Sequence, residues 1–177
     1  MARDNRRTVD RSPWASRVDP TDVMTLSFED LDNPYNRYTL LMSPLETLSE
    51  WLQRNSLLAD SMRCDRCNTD CTLTARSRAL DDYTWRCPQR HEITTRRNSF
   101  FSNSHMLLPD ILNFIMTYSE GHSLFRCAHS SSLAYANTAV DWANYCRDLC
   151  IEFFVRDISP VKLSGIVEVL ILVWKTH

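Results

Sequence analysis

The stretch "MRCDRCNTDC", residues 62 to 71, places three of the chain's seven cysteines within eight residues. The chain holds no run of about 20 apolar residues. Its start, "MARDNRRTVDRSPW", lacks the apolar core of a secretory signal. The expectation is a protein that neither crosses nor enters a membrane, with its thiols in a reducing compartment. There, closely spaced thiols more often bind metal than pair as disulfides.

A second pair lies downstream in "WRCPQRHE". Cys64 and Cys67 form C-x2-C, and after nineteen intervening residues Cys87 and His91 form C-x3-H. Zinc takes a tetrahedral set of thiolates and imidazoles, and each short knuckle lets two ligands from one turn reach the same ion. The spacing is that of a zinc ribbon, with Zn2+ as the expected cofactor. Between the knuckles, "TLTARSRALDDYTWRC" reads as two short strands joined by a polar turn near Asp81 and Asp82, which would carry Cys87 back to the first pair. The competing reading, scattered core cysteines and a surface histidine, must treat paired spacing on both sides as accident. Cys71 could replace His91 as fourth ligand, at the cost of leaving the second knuckle with one ligand. Cys127, Cys146 and Cys150 read as small apolar core residues.

Charge is distributed unevenly around the net −2. Residues 1 to 17 carry five Arg against two Asp, and residues 18 to 62 carry two Arg against eight acids. Residues 63 to 97 have eight Arg against five acids. Eighteen of the twenty basic residues are Arg, and Arg86, Arg90, Arg96 and Arg97 cluster around the second knuckle. The planar guanidinium suits phosphates and guanine edges. A solvated face with local ion pairs accounts for the same cluster, and the whole chain is not basic enough to declare a nucleic-acid binder.

With 177 residues, 44% hydrophobic and 24% charged, the chain can bury one core or two small ones. Residues 1 to 37 read as a polar, partly disordered arm, residues 38 to 62 as a helical segment and residues 63 to 97 as the ribbon. In "SPLETLSEWLQRNSLL", Ser43 is the expected N-cap, Pro44 the first helical residue and Glu46 the partner in a capping box. Leu45, Leu48, Trp51 and Leu52 give that helix one apolar face.

Residues 98 to 156 read as a helix-turn-helix. Pro109 opens a helix carrying Ile111, Leu112, Phe114, Ile115 and Tyr118, and Gly121 stops it. A short helix covers Leu124 to about His129. After "HSSS" comes a long helix in which Ala139, Trp142, Ala143, Cys146, Leu149, Cys150 and Phe153 recur at helical spacing. In such a unit the first residues of the last helix enter a major groove, which here means Ala136, Asn137, Thr138 and Asp141. Asn reads adenine through two hydrogen bonds, whereas Asp141 repels phosphate. Residues 123 to 154 hold two Arg against three acids, so a bundle used for packing or dimerisation fits the pattern as well.

A ribbon ending in "WRC", then "RRNSFFSNS", a helix, and "NTAVDWANYCRDLC" resembles the N-terminal half of Merlin-type transposases and their bacterial insertion-sequence relatives. The match covers roughly residues 40 to 169 and includes Arg97, Ser99, Phe100 and Phe101 of the family's "R-x-S-F-F" segment. The resemblance implies a ribonuclease-H-like catalytic domain opening with a strand of the type "G-x-V-E-I-D-E". Here the chain reads "SGIVEVLILVWKTH": Val167, Glu168 and Val169 match, but Leu170 stands where the first metal-binding Asp belongs. Two-metal phosphoryl transfer needs several carboxylates, so no catalysis is expected. Residues 157 to 177 read as a truncated start of that domain, an orphan apolar strand.

The expected fold is mainly α with a small β zinc ribbon. The expected function is that of a transposase-derived, zinc-binding protein that binds double-stranded DNA and lacks strand-transfer activity. As the resemblance implies, Arg86, Arg90, Arg96 and Arg97 would contact phosphates and Asn137 and Thr138 base edges. A protein-interaction adaptor derived from a transposase and a non-functional transposon remnant are the alternatives, and a second copy of the chain or another protein is a further candidate partner. The expected location is the nucleus in a eukaryote and the cytoplasm otherwise.

Overall fold

The computed structural model describes residues 19–133 and 135–157. The chain folds as a mostly helical body with one small three-stranded sheet. Helix α1 spans Pro20–Thr25 and α2 spans Pro34–Met42, with a 3-10 turn at Glu29–Asp32 between them. Both helices begin alike: the Asp19 carboxylate accepts from the Thr21 N–H at 2.8 Å, and the Asn33 amide oxygen accepts from the Tyr35 N–H at 2.9 Å. In each case proline takes the first helical position, where it forfeits no intrahelical bond.

The polar arm expected over residues 1 to 37 is therefore folded from residue 19 onward; residues 1–18 lie outside the described residues. A few well-placed apolar side chains suffice. Val23 and Leu31 are buried, the Trp51 indole N–H donates to the Leu26 carbonyl at 2.9 Å, and Phe28 packs edge-on against Trp51 at 5.3 Å.

Helix α3 spans Leu45–Arg54 and buries Leu48, Trp51 and Leu52. Its start departs from the expected capping box. Pro44 occupies the N-cap without a side-chain bond, and the Ser43 hydroxyl donates backward to the Leu40 carbonyl at 2.7 Å. Because α2 runs to Met42, Ser43 closes that helix rather than opening the next.

The sheet contains β1 (Thr72–Ala75), β2 (Tyr83–Arg86) and β3 (Glu92–Thr94), antiparallel in that order. The first two form the expected hairpin. The third strand was not anticipated; it pairs Ile93 opposite Trp85, and Trp85 lies opposite Leu73. Trp85 and Ile93 join Cys64 and Cys87 in a small core of their own.

Three further helices follow: α4 (Leu108–Ser119), α5 (Leu124–Ser130) and α6 (Val140–Asp157), the last entered through a π-helical turn at Tyr135–Ala139. Gly121 ends α4 at φ +77, a backbone state that glycine adopts without a Cβ penalty. These helices share one hydrophobic core with α1 to α3, in which Leu48, Trp51, Phe101, Ile111, Phe114, Cys127 and Trp142 meet. An ion pair at 2.5 Å between Arg37 and Glu120 spans the same junction.

The periodic face of the long helix is buried only in its first part. Ala139, Trp142 and Ala143 are in the core, whereas Leu149 and Phe153 are each 54% exposed and Cys150 is also exposed. An 18-residue helix reaches about 27 Å. It outruns the 12-residue α4 and the 7-residue α5 beside it. The orphan strand expected over 157–177 lies outside the described residues from 158 on.

Candidate metal centre

Two turns build the site. In the first, the Asn68 N–H donates to the Cys64 carbonyl at 2.8 Å and the Cys64 N–H to the Thr69 carbonyl at 2.9 Å, with Asn68 at φ 53. In the second, the Arg90 N–H donates to the Cys87 carbonyl at 2.8 Å and the Cys87 N–H to the His91 carbonyl at 3.2 Å, with Arg90 at φ 65. Each left-handed residue folds its knuckle back on itself, so both ligands of a pair face one point. Strand β2 delivers Cys87 directly after Arg86, and His91 directly precedes β3.

Cys64, Cys67, Cys87 and His91 come together as the spacing predicts, with one ligand atom from each lying within 4.8 Å of all the others. The Cys64 sulfur lies 3.4 Å from His91 Nδ1, and the His91 N–H donates to the Cys87 sulfur at 3.3 Å. A zinc–sulfur bond of about 2.3 Å puts tetrahedral ligand atoms roughly 3.8 Å apart, so the set is close to the size of a single ion. These residues could hold a metal ion. Cys71 is outside the set, although it packs against the same small core.

The thiols differ in acidity for local reasons. The Thr69 hydroxyl, 2.9 Å from the Cys67 sulfur, is the largest influence holding that thiol down at about 7. Cys64 is also lowered, chiefly by the Cys67 backbone N–H. Burial pushes Cys87 up, and burial followed by the neighbouring Cys64 charge pushes Cys71 up. The first knuckle thus offers anionic sulfur readily, and a bound cation would supply the positive charge that Cys87 needs to ionise. Thr69 is a site residue that sequence reading passed over, although it sits between Cys67 and Cys71.

The arginines expected to meet phosphate have separate fates. Arg96 is a correction: at 2% exposure it is buried, and its guanidinium pairs with Asp81. Arg86 is half-buried with its Nε enclosed and unpaired among the described residues, so its reach outward is limited. Arg90 is exposed at the tip of the second knuckle, and Arg97 is exposed but ion-paired with Asp65. Arg66 is exposed and lines a small concavity with Asp65, Glu92 and Arg97 beside the ligands. Asn137 is exposed and Thr138 half-buried, both on the π-helical turn that leads into α6.

No protein-family model, curated protein or solved structure matches the chain in the comparisons made with each. Among the described residues, no helix is long and apolar enough to cross a membrane.

Proposed function

We propose that Cys64, Cys67, Cys87 and His91 hold Zn2+ as a structural ion, in a DNA-binding protein derived from the N-terminal half of a Merlin-type transposase and lacking strand-transfer activity. The observation that carries the metal reading is the convergence of three sulfurs and one imidazole nitrogen within 4.8 Å. Soft thiolates select zinc over magnesium or calcium, and a closed set of four protein ligands suits a structural ion rather than a hydrolytic one. The ion supplies a cross-link between two turns that share only a small core.

The DNA reading rests on the family resemblance and on exposed cations beside the site. Arg66 and Arg90 at the knuckles, with Arg97, supply positive charge, and Asn137 opens the way into α6 as the base-reading candidate. The absence of strand transfer follows from Leu170 standing at the expected Asp position. The adaptor reading is favoured by one observation: Phe28, beside the acidic turn Glu29–Asp32, and Tyr35 and Tyr38, on α2, are exposed.

Two measurements separate these readings. Metal analysis of protein purified without chelator should find one zinc per chain, and less than half an equivalent counts against the site. Titration with duplex DNA at two salt concentrations should give binding that weakens steeply with salt. Affinity weaker than about 0.1 mM at low salt sinks the DNA reading and leaves the adaptor.

A further inference from the structure

The metal ligands and the buried Arg96–Asp81 pair sit at opposite ends of one strand ladder. Strand β2 runs from just after Asp81 and Asp82 to just before Cys87, and β3 runs from His91 to just before Thr95 and Arg96. At one end, the knuckle from Cys87 to His91 joins the strands. At the other, Arg96 Nε donates to Asp81 at 2.7 Å, its Nη2 pairs with the second carboxylate oxygen, and the Thr95 hydroxyl donates to the same carboxylate at 3.1 Å. The four-residue strand between the two ends spans roughly 14 Å, at about 3.4 Å per residue.

Arg96 does not stop at the sheet. Its Nη1 donates to the Met106 carbonyl at 2.6 Å and to the Ser104 carbonyl at 3.3 Å, in the segment that enters α4. Its own carbonyl accepts from the Ser99 and Ser102 hydroxyls at 2.7 Å each, which shapes the loop carrying Phe101 into the helical core. Phe100, in the same loop, packs edge-on against Trp142 of α6 at 5.5 Å. Arg96 therefore ties the sheet to the entrance of α4 through its guanidinium, and to the loop packed against α6 through its backbone carbonyl.

We infer that metal occupancy is coupled to the firmness of the helical body through Arg96 and Asp81. This rests on the metal reading above. Three strands of three or four residues are too small to hold their register unaided, so loss of the ion loosens β2 and β3. Asp81 then leaves its place, and Arg96, 2% exposed, is left with a buried charge that only carbonyls oppose. A buried ion missing its partner is costly, whereas a pair replaced by apolar residues is often tolerated. The body relieves the charge by opening the loop over Phe100 and Phe101 and fraying the start of α4. The metal thereby controls helices that contribute no ligand to it.

Amide hydrogen exchange on the full chain, with zinc measured in each sample, tests the coupling. Chelation should speed exchange at Ser99, Ile111 and Leu112 at least about tenfold. Asp81→Asn should keep its zinc yet show the faster exchange without chelator. The double variant Arg96→Met with Asp81→Leu, which has no charge to strand, should show exchange at Ile111 and Leu112 that is indifferent to chelation. Zinc lost with α4 unmoved in the wild type overturns the coupling, and so does an equal chelation response in the double variant. A chain that never holds zinc overturns both this inference and the metal reading, and it is recognised at the loading step.

Discussion

Arg90 and Arg96 lie six positions apart and carry the same side chain into opposite roles. Arg90 extends from a knuckle tip, while Arg96 is enclosed between Asp81 and the carbonyls of Ser104 and Met106. Arg96→Ala should cost about 3–5 kcal/mol in urea unfolding, because it strands the Asp81 carboxylate in the interior. Arg90→Ala should stay within about 0.5 kcal/mol of wild type, and should lower the salt slope of DNA binding by about 0.9 if that side chain meets a phosphate. The thiols are expected to separate in the same way. In metal-free protein, alkylation of Cys67 should reach half its maximal rate near pH 7, since the thiolate gains as pH rises through its lowered value. Cys71, raised by burial, should react only at distinctly higher pH, as peptide mapping after timed labelling would show.

At the scale of elements, α6 is a helix of two halves. Trp142 is buried and packs edge-on against Phe100 and Tyr145, so Trp142→Ala should cost about 3–5 kcal/mol. Leu149 follows on the same periodic face but is 54% exposed, and Leu149→Gln should change stability by less than about 0.5 kcal/mol. Periodicity could not distinguish them, because a sequence repeat records which residues share a face and not how far the neighbouring helices extend. The turn after α4 poses the reverse case. A Cβ at Gly121 would meet nothing within 4 Å, so Gly121→Ala should cost only the left-handed backbone penalty of about 1–2 kcal/mol. Thermal unfolding of these three variants separates a packing loss from a conformational one.

In the whole molecule, the division into an arm, a helical segment, a metal unit and a trihelical unit gives way to two cores with a shared guanidinium between them. The N-terminal helices and α4 to α6 bury their apolar faces together, and the sheet keeps a smaller core around Trp85, Cys87 and Ile93. Removal of the ligands should show which core depends on metal. Cys64→Ser with Cys87→Ser should abolish zinc retention, whereas Cys71→Ser should keep one equivalent, because the Cys71 thiol lies outside the converging set. Metal analysis after dialysis against a weak chelator reads both outcomes.

The sequence alone determined what short-range chemistry determines. The C-x2-C and C-x3-H knuckles, the hairpin across Asp81 and Asp82, Pro109 near the start of α4 and the stop at Gly121 all depend on residues within a few positions of one another. Each survived into the structure. Tertiary structure decided the rest. Ser43 was a plausible cap until α2 claimed it, Val23 and Leu31 were too sparse to announce a fold until Trp51 and the core received them, and β3 is too short to show a period. Arg96 was indistinguishable from its neighbours in the run of arginines. Only the approach of Asp81 and of the Ser104 and Met106 carbonyls, each at least eight positions away, turned a surface cation into the join between the two cores. Burial of a charge depends on what arrives from elsewhere in the chain, and local sequence carries no record of that arrival.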